Sequence, residues 1–442
     1  MPPRRGTMKT SPRALGTAVA VLAIAALTSC GAGGGGEQAT GGSVTLSFLT
    51  GSDQSTVDTS KALADAFTKA NPDIKIEIEN QPGGSEGDNI IKTRLSTGEM
   101  SDVFWYNSGS LLQALNPAQT MVDLTGDPVL ANVQPDYLPV VSQGGKVFGV
   151  PATTLTGGGI LYNRKVYEKL GLQVPKTWAE FLANNDKIKA ADITPVITTF
   201  KDTWTSQLFV LADYFNVQAA APTFAADYTA GKAKFATTPA ALGGFQHLAD
   251  VHAKGYANKG FGSATLDQGL KMLVEGTGAH YPMLSGLLPP LLATYPQTAT
   301  DVGFFGVPGD DAAKNGATVW EPAAIYIAKT TENLEAAKKF LAFVASPAGA
   351  DAVTAAVRPS GPYRVKGAKL PEDALQVAKD LQVYIDQGAT APALEFLSPI
   401  KGPSLEQITV AVGSGLTPPA EAAAQYDKDV EKQAKQLGLA GW

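Results

Sequence analysis

The sequence predicts an α/β protein of two domains, built on mainly parallel sheets covered by helices. Three observations predict it. Strand and helix patterns alternate from Val44 to Tyr106, with connections short enough to imply crossover helices. With residues 1–29 set aside, 413 residues remain, more than one hydrophobic core usually organises. Hydrophobic residues make up 44% of the chain, enough for real cores.

The chain starts with Arg4, Arg5, Lys9 and Arg13, then an apolar run from Ala14 to Leu27, then Thr28-Ser29-Cys30. A basic start, an apolar middle and small residues at the cut are the order of a secretory signal, here 1–29. The run is shorter than the roughly 20 residues of a spanning helix. Cys30 is the single cysteine. It has no partner for a disulfide, and a bare thiol outside the cell is a liability. Leu27-Thr28-Ser29-Cys30 resembles the lipobox of bacterial lipoproteins. That resemblance implies that Cys30 becomes the new N-terminus and carries lipid. Several acyl chains, each buried methylene contributing about 0.8 kcal/mol, would hold the protein at the outer face of the cell membrane. Residues 30–43 then read as the lipidated cysteine and a flexible Gly-rich linker.

Removing 1–29 leaves 31 basic against 41 acidic residues, a net charge of about −10. An acidic surface argues against nucleic acid and anionic headgroups as partners. No later segment is long and apolar enough to span a membrane.

Val44–Leu49 reads as a strand, and Val57–Ala70 as a helix with Leu63, Ala66, Phe67 and Ala70 at helical spacing. Asn71-Pro72 stops it. Asp73–Glu79 alternates polar and apolar, as a strand with one wet face does. A Gly-rich loop at 82–87, a helix from about Asn89 to Thr97 and a strand at Asp102–Tyr106 follow. Gly157–Asn163 reads as a strand leaving the first domain. Thr177 and Glu180 form a capping box at the start of a helix, which makes Trp178 a packing residue. Mostly helical sequence leads to strands at Asp301–Pro308 and Ala324–Ala328, then an amphipathic helix at Glu335–Phe343 and further helices to the end.

Taken in order, the motifs Asn71-Pro72-Asp73-Ile74, Ser101-Asp102-Val103-Phe104-Trp105, Gly149-Val150-Pro151, Leu161-Tyr162-Asn163-Arg164, Pro175–Phe181, Glu275–His280 and Ala336–Leu341 with Ser346-Pro347 carry a resemblance. The chain resembles the extracellular solute-binding proteins of ABC importers (family 1, sugar-binding branch, maltodextrin-binding-protein-like). His280 departs from the family's Met, and Ser101 from its Pro. The resemblance implies a two-lobed periplasmic-binding-protein-like fold of type II, each lobe a mainly parallel sheet flanked by helices, with the ligand cleft between lobes. The first lobe is expected at 44–151 and 303–346, the second at 152–302 and 347–442. It further implies capture of a sugar or oligosaccharide by hinge closure, as a monomer without cofactor or metal, and delivery to the transmembrane subunits of an ABC permease.

Ligands of such sheets bind at the carboxyl ends of strands. A sugar offers an apolar C–H face to aromatic rings and hydroxyls to Asp, Glu, Asn and Arg. Aromatics beside polar residues at strand ends are therefore the candidates: Trp105 and Asn107 after the third strand, Trp204 in a polar loop, Tyr281, and the pair Trp320-Glu321 after a later strand. Trp105 also fits a core role, since it ends an apolar strand. Asp53 follows the first strand and is equally suited to capping the next helix.

Three other readings compete. A glycosidase needs two carboxylates across a bond, and no hydrolase motif such as G-x-S-x-G or H-E-x-x-H is present. Metal capture would rest on His247, His252 and His280, of which His247 and His252 are five apart and do not share one helical face. An anion could bind after Gly51-Ser52, where helix amides point outward. The aromatic residues near strand ends favour a sugar and no catalysis.

Overall fold

The computed structural model describes residues 43–442. The expected signal segment, Cys30 and nearly all of the linker lie outside the described residues. The strands, in chain order, are β1 Val44–Gly51, β2 Ile74–Gln81, β3 Val103–Tyr106, β4 Ser142–Gln143, β5 Lys146–Val147, β6 Gly149–Pro151, β7 Thr156–Asn163, β8 Thr194–Val196, β9 Gly278–Leu284, β10 Val302–Phe305, β11 Ala317–Trp320, β12 Ala324–Ile327 and β13 Thr390–Pro392.

They make two large sheets. The first runs β2-β1-β3-β12-β6, the second β13-β11-β7-β9-β8, with β10 also paired to β7. In the first sheet only β12 runs against its neighbours. In the second only β7 does. Each reversed strand is one that has just crossed from the other sheet, β6 leading into β7 and β11 into β12. The mainly parallel character of both sheets matches the expectation.

Local chemistry explains the first elements. Leu46, Phe48 and Leu49 are fully buried in β1 because the strand is covered on both faces. Asp53 caps the helix Gln54–Ala70 by accepting from the Thr56 amide at 3.0 Å. That helix buries Leu63, Ala64 and Phe67, and Phe67 meets Phe340 edge-on at 5.2 Å. Asp102 ties the base of β3 to β1, accepting from the amide and hydroxyl of Ser47 at 2.9 and 2.8 Å. The Thr177–Glu180 capping box forms as read, and Trp178 is buried against Phe181.

The second sheet lies between two apolar clusters. Ile160 and Tyr162 of β7 face one and Leu161 the other, as the two-residue period of a strand requires. Gly158 sits in β7 because Trp320 lies on it: a Cβ there would stand 2.0 Å from the indole Cζ3.

The strands correct the expected division of the chain. β10 and β11 pair with β7, so the chain returns to the first sheet between Trp320 and Ala324, not at 303. The helix Pro347–Ala356 packs on Gln54–Ala70 and sends Val353 into the first core, so the last crossing starts after it. Apolar strands such as Val302–Phe305 look alike in sequence whichever sheet they join; the partner edge decides.

Candidate functional site at the junction of the lobes

Three segments join the sheets: 152–155, 321–323 and the stretch between Ala356 and Gln376. They are stitched together. The Leu155 amide donates to the Pro362 carbonyl at 2.8 Å and the Ala152 amide to the Ala323 carbonyl at 2.9 Å. From the first lobe, the Ser108 hydroxyl and the Tyr137 hydroxyl both donate to the Pro322 carbonyl, at 2.9 and 3.0 Å.

Glu321 lies in the second of these segments with its side chain wholly buried. Arg364, from the third, donates to it through Nε at 2.8 Å and through Nη2, and reaches Asp136 of the first lobe through Nη1. Burial pushes the Glu321 pKa up while the Arg364 guanidinium opposes it. Both Glu321 oxygens are committed to Arg364, so the residue expected to hold a sugar hydroxyl is instead part of a buried ion pair at the hinge. No local sequence feature joins Glu321 to Arg364, which lie 43 positions apart.

A cavity of about 550 Å³ opens beside the third crossing. Gln54, Ser55 and Asp58 line it from the first lobe, Pro289 and Leu292 from the second, and Arg358 from the third crossing. Gln54 donates to Asp58 at 2.8 Å, and Arg358 pairs with Asp373 at 3.1 Å. Sequence reading missed these residues. The signal available was the run Arg358-Pro359-Ser360-Gly361-Pro362, a rigid polar loop in the third crossing.

The expected site residues distribute as follows. Asp53 is exposed, one residue before the cavity wall, and caps its helix. Trp105 is half-buried on β3 opposite Ile325 and packs against the first core. Asn107 is exposed, and its carbonyl accepts from the Tyr326 hydroxyl at 3.1 Å. Two residues on, Gly109 holds a positive φ of 71°, and a Cβ there would stand 2.6 Å from the Phe396 ring. The loop after β3 therefore lies directly against the second lobe's turn Leu394–Phe396. Glu395 of that turn accepts from the Trp320 indole and from Lys401. Trp105, Asn107, the 394–396 turn and Trp320 thus follow one another across the junction.

Trp204 is half-buried in the turn Thr203–Gln207 and packs against a different apolar cluster from Trp105 and from Trp320. None of Trp105, Trp204 and Trp320 lines the 550 Å³ cavity. Tyr281 is 1% exposed, with its hydroxyl 2.6 Å from that of Thr199. It belongs to the core and not to the cleft, because β9 is covered on both faces. His280 is also interior, bonded to Tyr167 at 2.7 Å and Asn185 at 2.8 Å.

Two α/β lobes joined by three crossings, with a cavity lined by both lobes and the third crossing and a charged pair tying the second crossing to the third, define a two-lobed binding protein. The model of the bacterial extracellular solute-binding protein family matches residues 53–351, and the chain belongs to that family. It is 25% identical over 295 residues, 65% of this chain and 67% of the relative, to the multiple sugar-binding protein of Streptococcus mutans. It is 24% identical over 357 residues, 77% of this chain and 80% of the relative, to the melibiose/raffinose/stachyose-binding protein MelE of Bacillus subtilis. Among solved structures, the apo form of RafE from Streptococcus pneumoniae superposes with a TM-score of 0.72 at 20% identity, covering 90% of this chain and all of that one. These relatives are binding proteins, not enzymes. Among the described residues no helix is long and apolar enough to cross a membrane.

Proposed function

We propose that the protein captures a sugar or oligosaccharide between its lobes, closes on it about the three crossings, and presents the closed form to an ABC permease from a lipid anchor on Cys30. The observation that carries this reading is the 550 Å³ cavity bounded by both lobes and by the third crossing. Its lining mixes hydroxyl partners (Gln54, Ser55, Asp58, Arg358) with flat apolar surface (Pro289, Leu292), which suits the two faces of a sugar ring. Trp105, Asn107 and Trp320, at the neighbouring edge of the junction, extend the site for a longer saccharide. The two named relatives bind sugars, which supports the same ligand class here.

Closure needs a ligand that binds the closed form better than the open one, since only differential affinity shifts the equilibrium. A bound sugar touching Asp58 of the first lobe and the surface of Pro289 and Leu292 of the second bridges the two lobes, and so meets that condition. Thermal unfolding with melibiose, raffinose, stachyose and an anion panel tests the reading. Ligand at 100 times its Kd stabilises by about 2.7 kcal/mol. A rise in Tm with a saccharide and none with anions is expected; the reverse pattern would sink the sugar assignment. Replacing Cys30 with Ala is expected to release the protein from the membrane fraction.

A further inference from the structure

Away from the junction, the second lobe holds a cavity of about 300 Å³. His247 enters it from the helix Pro239–Ala253, and Asp213 and Asn216 from the start of the helix Tyr214–Ala220. Asp310, Asp311 and Lys314 stand exposed at its rim.

Two interior groups point into this space. Asp213 is 1% exposed and His247 8%. Asn216 donates to Asp213 Oδ1 at 2.7 Å and to the Val307 carbonyl at 2.9 Å, so it orients the carboxylate without supplying charge. The His247 ring stacks on Trp178 at 3.8 Å, which sets its plane. Its Nδ1 has no hydrogen-bond partner among the described residues and stands 3.8 Å from Asp213 Oδ1. A single nitrogen donor can sit within about 2.9 Å of both atoms at that separation. A buried carboxylate is costly unless a cation or several donors meet it. Three carboxylates against one lysine make the cavity acidic, while Ala219, Pro239 and Ala240 give it an apolar wall.

We propose that this cavity is a second ligand site, separate from the sugar cleft, for a small aliphatic amine. The ammonium head donates to the Asp213 carboxylate and to neutral His247 Nδ1, the hydrocarbon part lies on the alanine and proline wall, and the far ammonium of a diamine reaches Asp310 and Asp311. A metal ion fits less well, because no three His, Cys, Asp or Glu side chains among the described residues are grouped to hold one. The volume also matches the small end of organic-ligand sites rather than a bare ion.

Calorimetric titration of the full chain with 1,4-diaminobutane, butylamine, 1-butanol and Zn²⁺ alone tests this. The diamine is expected to bind one to one, butylamine several-fold more weakly, and butanol not at all. Asp213→Asn is expected to lower diamine affinity at least tenfold, and His247→Phe, which keeps the stack, several-fold. The paired rim changes Asp310→Asn and Asp311→Asn leave the interior untouched. They are expected to weaken the diamine to the level of butylamine and leave butylamine unchanged. No amine binding by the unmodified protein, equal binding by the rim variant, or uptake of Zn²⁺ in place of the amine overturns the proposal. Sugar titrations run in parallel read the other cavity and are expected to be unaffected.

Discussion

The two lobes share a plan, a parallel sheet with one reversed strand, but are held together by different means. The first lobe has one apolar core, and its strands β1, β2 and β3 are parallel neighbours close in sequence. The second lobe places its sheet between two cores, and its central strand β7 is flanked by β9, β10 and β11 from far along the chain. β1 to β3 are thus a local assembly that the chain can write in order, and β12 joins it from far along the chain. The second lobe depends on β7 having both edges open and glycines where distant rings must lie. The hinge, where the two meet, adds a buried ion pair to the hydrogen bonds that stitch its crossings.

That contrast can be broken at several points. The largest effect is expected at the hinge. Glu321→Ala leaves Arg364 buried with only the outlying Asp136, and removing one partner of a buried pair costs about 3–5 kcal/mol. Urea unfolding measures it, and an unchanged midpoint would mean that the pair does not hold the crossings. In the second lobe, Gly158→Ala drives a methyl into the Trp320 ring, a clash of the kind that costs about 1–3 kcal/mol. The same assay, with Trp fluorescence, reports whether the indole moves. In the first lobe, Asp53→Ala removes a helix cap for about 0.5–2 kcal/mol. It sharpens the comparison if stability falls while sugar affinity holds, since Asp53 is then a cap and not a ligand.

The finest distinction is in the sign of pH dependence. In the first lobe, burial raises the Asp102 pKa, but hydrogen bonds from Thr331, Ser47 and Asn333 outweigh it and hold the carboxyl below its ordinary value. Its contribution is present above the unfolded pKa of about 3.9 and is lost as pH falls through the lowered native value. In the second lobe, burial lifts Asp380 despite hydrogen bonds from Gln376 and the Phe304 amide. Its contribution is present below about 3.9 and is lost as pH rises through the raised native value. Asp102→Asn is therefore expected to flatten the stability profile below about pH 4, and Asp380→Asn just above it. Urea midpoints across that range check both, and a shared slope for the two variants would remove the contrast.

Legibility in the sequence follows the same division. The strand and helix order from Val44 to Tyr106 could be read because alternation, caps and Asn71-Pro72 are local signals. Trp178 was correctly read as packing because its capping box fixes a helix start. Glu321 and Tyr281 mark the limit: in the structure one pairs with Arg364 and the other bonds Thr199. A polar or aromatic residue at a strand end looks the same whether it faces a cleft, pairs with Arg364 or bonds Thr199 inside a core. Gln54, Asp58 and Arg358 went unnoticed because the cavity they line is created only when three distant segments meet.

The chain alone determined its fold class, its acidic balance, the order of its motifs and hence its resemblance, because periodicity and capping act over a few residues. The tertiary structure decided which sheet β10 and β11 join, where the crossings fall, and which polar groups stay open to a ligand. Those outcomes depend on strand edges and buried charges meeting across the molecule, and such meetings are set by packing rather than by neighbours in sequence.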